Sequence, residues 1–212
     1  LFSLYLTALL IPRFQDSNGL FWSVVGWSIG IGFLILLLFR RDGCLPSMQI
    51  AIRRPHYVQL LMQGAVFAYW GWYWRDVYGE VPLILSQIVF AYLIEFLVCW
   101  QRHRHWRVGF GPWPIVLSTN LFMWFLDAYF WAQYLMIALA YVSREWIRWD
   151  RNGRNVHIFN PSAFGLFVAS VFLIIFEIPH LTHGQEISFR LGEPEYAFHY
   201  IFAVGLVVQF FF

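Results

Sequence analysis

The sequence contains no lysine, so all 14 of its positively charged residues are arginine. Charged residues make up 12% of the 212-residue chain, about half of the roughly 25% found in a typical soluble domain. Two cysteines, Cys44 and Cys99, cannot build a framework of paired disulfides and do not have the spacing of a metal site. The net charge of +2 does not indicate attraction to nucleic acid. The P-loop, the dinucleotide glycine fingerprint and the nucleophile elbow are also missing.

Apolar residues are abundant instead. Hydrophobic residues make up 60% of the chain and aromatic residues 22%, including 12 Trp and 23 Phe. A soluble chain of this length could not bury so much apolar surface in its own core, and we therefore predict an integral membrane protein.

The apolar residues fall into segments of membrane-spanning length. A helix needs about 20 apolar residues to cross a bilayer. Four segments come close, at 20–39, 58–74, 81–100 and 161–178, and two are partial, at 1–11 and 196–212. We predict an all-α, polytopic transmembrane bundle with about six to eight membrane segments, forming one domain over residues 1–212. Because both ends lie inside apolar runs, we expect the chain to be a fragment of a longer one.

Arginine placement predicts the orientation. Eleven of the 14 arginines lie in three loops, at 40–57, 101–107 and 144–157. The positive-inside rule places these loops in the cytoplasm, as in a bacterial-type inner membrane. The chain must then cross an even number of times between the second and third loops. We therefore predict a broken or re-entrant pair of short helices over 113–142, with Asp127 near the turn; two thin, tilted spans are the alternative.

Two carboxylates interrupt the apolar segments. Glu95 is the only acid well inside a predicted span, which makes it a candidate for a proton or cation path. Its alternative is an ion pair with Arg102 or with an arginine of another loop. Asp127 has the same two interpretations, a place on an ion path or the cap of a helix that begins at Ala128, and we favour the cap.

Metal and haem sites are not indicated. The pairs His180 with His183 and His103 with His105 have no accompanying acids or cysteines of the kind a zinc site uses. A haem held by two histidines needs both of them buried within spans, and only His199 lies in an apolar run. Tryptophans such as Trp70 and Trp74 lie at the ends of predicted spans, where interfacial belts are expected.

The segment 151–165 carries the most information. Asn160 followed by Pro161 predicts a helix start, with Asn as the N-cap and Pro at the first helical position. The positive end of that helix would lie beside Arg154 and His157 and form an anion-binding corner. The small residues Ser162, Ala163 and Gly165 would allow close approach of another helix or of a ligand.

This segment also resembles a known family. His157, Phe159, Asn160, Pro161, Phe164 and Gly165 match the pattern His-x-Phe-Asn-Pro-x-x-Phe-Gly of the NqrB/RnfD family. These are membrane subunits of the sodium-pumping quinone reductase and of the Rnf electron-transport complex, and UnbU-like proteins of enediyne clusters are related to them. Arg53-Arg54-Pro55-His56-Tyr57 resembles the start of the family's first core helix with its order altered. The resemblance covers about residues 53–178 and implies a helical scaffold with broken helices.

The resemblance also implies a function. It predicts a membrane subunit of an electron-transfer complex that handles flavin or quinone, with FMN or riboflavin at Arg154, His157, Phe159, Asn160 and Pro161. The Ser-Gly-Ala-Thr type motif to which family members attach FMN does not occur in this sequence. The alternative is a cofactor-free accessory subunit docked onto a larger photosynthetic or respiratory assembly. No catalytic or metal-binding residue is predicted, and the expected partners are the bilayer and other membrane subunits.

Overall fold

The chain folds into a mostly helical bundle, described here from a computed structural model over residues 1–151, 153–192 and 196–210. Short 3-10 turns at Thr7–Leu10, Asp127–Tyr129 and Pro179–Leu181 accompany the α-helices. The α-helices are α1 (Phe2–Leu6), α2 (Pro12–Gln15), α3 (Asn18–Asp42), α4 (Arg54–Tyr73), α5 (Asp76–Gly79), α6 (Val81–His103), α7 (Pro112–Asn120), α8 (Phe130–Trp146), α9 (Pro161–Ile175), α10 (Gly184–Gly192) and α11 (Ala197–Phe210).

Two of the described helices, α3 with 25 residues and α6 with 23, are long and apolar enough to cross a membrane. They contain the predicted spans 20–39 and 81–100. Helix α9 is apolar but has only 15 residues. Each of the other predicted segments contains a helix, and Phe211 and Phe212 lie outside the described residues. The number of membrane segments therefore stays a prediction.

Helix α6 is the centre of the bundle. It packs against α1, α3, α7 and α8, and 13 of its residues are buried. Phe90, Ala91 and Leu93 on this helix are at most 1% exposed and belong to the main hydrophobic core. Helix α3 contributes Leu20, Val24 and Ile31 to this core from one side. Its other side leaves Trp22, Phe33 and Phe39 exposed. The central helix therefore fixes the positions of the elements around it.

The break predicted within residues 113–142 separates the nine-residue α7 from the 17-residue α8, and Asp127 lies in the turn between them. Three buried amide side chains line this break. Asn120 and Gln87 exchange hydrogen bonds, with N···O distances of 2.6 and 3.3 Å. Gln133 accepts from the backbone N–H of Phe125 and donates to the carbonyl of Met123. The Gln133 contacts satisfy two backbone groups that the interrupted helix leaves free, as an apolar interior requires.

Four short strands are an addition to the predicted all-α fold. The strands are β1 (Ser47–Ile50), β2 (His105–Val108), β3 (Arg148–Arg151) and β4 (Arg154–His157). β1 and β2 pair in parallel, while β3 and β4 form an antiparallel hairpin that turns at Gly153, whose φ of 73° favours glycine. Sequence reasoning missed them because each has only four residues and lies in an arginine-rich loop.

The strands bring the three arginine-rich loops to one end of the bundle. β1 joins the first loop to the second, and an ion pair of 2.8 Å between Arg104 and Asp42 reinforces this contact. His103, from the second loop, lies 3.3 Å from Glu145 at the start of the third. The sequence prediction that these loops share one side agrees with this arrangement. Which side of a membrane that end faces stays a prediction.

Two of the predicted belt tryptophans are core residues instead. Trp70 and Trp74 are buried and pack with Trp124, at ring-centroid distances of 5.3 to 5.7 Å. Trp124 comes from the break between α7 and α8, which is distant in sequence. The sequence therefore placed these tryptophans correctly at the end of a helix, but it did not predict that they are buried.

Candidate functional site: an arginine- and histidine-lined cavity

A polar cavity of about 500 Å³ lies where the arginine-rich segments meet. We call it the arginine cavity. Four arginines, four histidines and two glutamates contribute to its wall. They are Arg53, Arg107, Arg144, Arg148, His56, His103, His105, His157, Glu95 and Glu145. Because they come from α4, α6, α8 and three of the four strands, the cavity exists only in the folded chain.

The two glutamates hold part of this positive charge. Glu95, on α6, is 6% exposed and accepts a 2.9 Å hydrogen bond from Arg144, on α8. Its other oxygen lies 3.5 Å from the indole nitrogen of Trp106. Glu145 lies within 3.4 Å of Arg144, Arg148 and His103. The acids are therefore fully engaged with cations of the wall.

Two arginines of the cavity have no acidic partner. Arg53 and Arg107 form no ion pair with any residue in the described part of the chain. Both are exposed at the rim of the arginine cavity. Four arginines against two glutamates leave the cavity with a net charge of +2 when the histidines are neutral. An excess of unpaired guanidinium groups around a concave surface favours an anionic ligand, because guanidinium binds carboxylate and phosphate in a bidentate fashion.

The pKa values of two histidines in the cavity are lowered by burial and by this positive charge. Burial lowers the pKa of His56, and the positive charges of Arg53 and Arg144 lower it further. The pKa of His157 is also lowered, first by burial and then by Arg144 and Arg148, with Glu145 opposing. Burial and the neighbouring arginines therefore favour the neutral form of both rings. A bound anion would favour their protonated forms.

The helix starts add to the positive potential. His56 lies in the first turn of α4, and Gly111 precedes the first residue of α7. The free N–H groups and the dipole of a helix N-terminus favour negative charge. The loop before α7 approaches β1 so closely that a Cβ atom at Gly109 would overlap the carbonyl oxygen of Ala51. This contact positions α7 against the cavity.

Only one of the five residues predicted at the cofactor site demonstrably lines this cavity. That residue is His157. Asn160 is the predicted N-cap, since its side chain accepts from the backbone N–H of Ser162 at 3.1 Å, and Pro161 begins α9. Phe159 is 48% exposed and packs against Phe164. The side chain of Arg154 lies outside the described residues.

The small residues after Asn160 serve helix packing. A Cβ atom at Gly165 would lie 2.7 Å from the carbonyl oxygen of Met136 on α8, so α9 approaches α8 as closely as the sequence predicted. This close contact, together with the cap at Asn160, fixes the position of α9 relative to α8.

The structure does not bring the predicted ion-path residues together. Asp127 lies near the N-terminal end of α6, where Arg13 donates to both of its carboxylate oxygens at 2.7 and 2.9 Å. Glu95 lies four turns further along that helix. Along α6, the buried apolar residues Phe90, Ala91 and Leu93 lie between Gln87 and Glu95.

The interpretation of Asp127 as a helix cap was wrong. Asp127 is the first residue of a short 3-10 turn, and its side chain caps no helix. Its carboxylate bonds Arg13 instead, more than 100 residues away in sequence. For Glu95, the alternative of an ion pair with an arginine of another loop is confirmed, with Arg144 as the partner and not Arg102.

Sequence reasoning did not single out most of the cavity. Arg53, Arg107 and Arg148 were recognised only as loop arginines that orient the chain, and Glu145 was not considered. One available signal was the spacing of Arg144 and Arg148, which places both near the end of one helix and close to Glu145. Among the described residues, no group of three or more His, Cys, Asp or Glu side chains could hold a metal ion.

Comparison of the chain with protein-family models, with curated proteins and with solved structures finds no match. Function must therefore be argued from the residues of the chain itself.

Proposed function

We propose that the chain is an integral membrane subunit of an electron-transfer complex and that its arginine cavity holds a flavin. Two helices of spanning length, α3 and α6, and the apolar residues exposed on α3 support a place in the bilayer. The arginine-rich end would face the cytoplasm of a bacterial-type inner membrane. Its partners would be lipid and the subunits that carry the other redox centres.

The cationic cavity is the observation that carries the proposal. Its volume of about 500 Å³ lies within the range of roughly 300–1,000 Å³ of small-molecule sites. His157 places the segment that resembles the NqrB/RnfD pattern at its wall. The unpaired Arg53 and Arg107 provide the donors that a flavin phosphate requires. A quinone, which carries no such charge, is a weaker fit to this wall.

The residues of this chain would bind and orient such a cofactor. A bound flavin supplies one- and two-electron transfer, while the protein supplies position and electrostatics. Arg53 and Arg107 would hold the anionic group. Arg144, fixed between Glu95 and Glu145, would contribute positive potential without moving.

The absorption spectrum of the purified complex tests this proposal. We expect flavin bands at a stoichiometry of about one per chain, which is the ratio of one cavity to one ligand. Acid precipitation should release the flavin into the supernatant, because the sequence has no attachment motif of the Ser-Gly-Ala-Thr type. Absence of flavin from an intact complex would overturn the proposal that the cavity holds one.

A second candidate function is a cofactor-free accessory subunit. It is favoured by the fate of the motif residues, since Asn160 caps α9 and Phe159 is exposed and available to a neighbouring chain. This function predicts an intact complex without flavin or quinone, in which aromatic residues of other subunits cover Phe159 and the exposed Phe167 and Phe172 on α9.

A further inference from the structure

We propose that the arginine cavity is a site for a dianionic phosphomonoester, and that binding of this ligand increases the proton affinity of His56 and His157. The inference rests on the proposed function for its cofactor, and it narrows that cofactor to FMN over riboflavin. It also stands on its own as a statement about the anion that the cavity accepts.

The charge balance of the wall indicates a dianion. The acids Glu95 and Glu145 neutralise two of its four arginines through the close contacts described above. Two positive charges remain, on Arg53 and Arg107. A phosphomonoester carries about −1.5 to −2 at pH 7 and therefore balances them. A phosphodiester, such as a phospholipid headgroup, carries one negative charge for the phosphate and would leave one arginine unpaired.

The partners of the acids divide the arginines of the wall into two groups. Glu145 binds Arg148 and His103, whereas Arg53, just before α4, and Arg107, on β2, have no acidic partner among the described residues. Glu95 lies beside the start of α7, where its Oε1 would be 3.8 Å from a Cβ atom at Gly111. Because the carboxylates would repel an anion, it would bind toward Arg53 and Arg107.

Two imidazoles line the same cavity. No described residue forms a hydrogen bond with the ring of His56 or His157, so either ring can donate to a ligand from one nitrogen, and from both when it is protonated. The other titratable and charged groups that face them from the packed elements are Arg53, Arg107, Arg144, Arg148, Glu95, Glu145, His103, His105 and Cys99. Since arginines dominate this set, a bound anion makes protonation of the two rings more favourable than it is in the free protein.

Isothermal titration calorimetry on the full chain in lipid nanodiscs tests the charge selectivity. Inorganic sulfate and methanesulfonate are matched probes, since both are tetrahedral and they differ by one charge. We expect sulfate to bind at least about tenfold more tightly, which is the scale of one additional charge-assisted contact. Equal affinities would overturn the proposal.

Variants at the rim assign the site. Arg53→Gln and Arg107→Gln should each weaken sulfate binding by about tenfold or more. Arg107→Lys keeps the charge and should fall between these variants and the wild type. Arg40→Gln is the matched control, because Arg40 is exposed at the same end and does not line the cavity. An unchanged affinity in both glutamine variants, or an equal loss in Arg40→Gln, would refute the assignment.

The pH dependence tests the role of the imidazoles. Sulfate remains a dianion between pH 8 and pH 6, so a change in its affinity over this range reports protonation of the protein. We expect tighter binding as the pH falls and a weaker pH dependence in the His56→Gln/His157→Gln double variant, in which His103 and His105 remain. A wild-type profile that is already flat would contradict proton-linked binding.

Flavin titrations separate this inference from the proposed function. FMN should bind about tenfold or more tightly than riboflavin, which lacks the phosphate. Equal binding of the two flavins would overturn the inference and leave the flavin function standing. Selective sulfate binding without measurable binding of either flavin would support the anion site and overturn the flavin function.

Discussion

Removing Arg144 is expected to destabilise the protein more than removing its partner Glu95. Glu95 is 6% exposed, and among the described residues its other polar contact is with the indole of Trp106 at 3.5 Å. Arg144→Met would leave this carboxylate buried without a cation. Breaking a buried ion pair in this way costs about 3–5 kcal/mol. The Arg144 side chain is 21% exposed, so we expect the lower end, about 3 kcal/mol.

The reverse substitution leaves a better-satisfied residue. In Glu95→Leu, Arg144 keeps its contact with Glu145 at 3.4 Å and reaches the polar cavity. We therefore expect a smaller loss of about 1–2 kcal/mol. In the double variant neither charge is left unpaired, and buried pairs replaced by apolar side chains are often neutral in stability. The double variant should then be more stable than Arg144→Met alone.

Reversible unfolding in mixed micelles, followed by tryptophan fluorescence during titration with SDS, measures these free energies. The four proteins form a double-mutant cycle, and we expect a coupling energy above about 1 kcal/mol. Arg40→Met is the control, since Arg40 is exposed and surface substitutions usually change stability by less than about 0.5 kcal/mol. Strict additivity of the two single losses would refute the argument that this pair is a buried unit.

Three further predictions concern packing, the opposite end of the bundle and pH. Gly165→Ala should lower the free energy of unfolding by about 1–3 kcal/mol, because the added methyl group would overlap the carbonyl oxygen of Met136. Gly64→Ala should not lower it, because Gly64 has open space around it, and equal effects in the same unfolding assay would contradict this account of α9. Arg13→Gln should cost about 1 kcal/mol, since this pair with Asp127 is a third exposed, and it should leave sulfate binding at the arginine cavity unchanged; weaker sulfate binding would refute the independence of the two ends. Because the pKa values of His56 and His157 are lowered in the folded state, the unfolded state binds more protons as the pH falls through about 6.5. The contribution of these histidines to the free energy of unfolding is therefore complete above that pH and is lost below it. The unfolding midpoints at pH 7.5 and 5.5 should differ less in the His56→Gln/His157→Gln variant than in the wild type, and an unaltered difference would contradict the sign.

Composition and local pattern determined a large part of this molecule. The 60% hydrophobic content and the apolar runs predicted the helices, two of which have spanning length. The pair Asn160-Pro161 predicted the start of α9, because capping depends on neighbouring residues alone. The position of Asp127 and the parity of the arginine-rich loops predicted the break between α7 and α8. Each of these features depends on short-range preferences or on a simple count.

The partners of the polar residues were decided by tertiary structure. Glu95, Asp127 and Trp70 have local surroundings that fit several roles. Their actual partners, Arg144, Arg13 and Trp124, lie 49 or more residues away in sequence. A charged or aromatic side chain in an apolar segment must find some partner, and the sequence states that requirement without naming the partner. The arginine cavity also depends on tertiary structure. The arginine-rich loops form its wall only because the short strands and the ends of three helices bring them together. The absence of lysine has no explanation in the fold, although at this wall arginine provides the bidentate contacts that lysine could not.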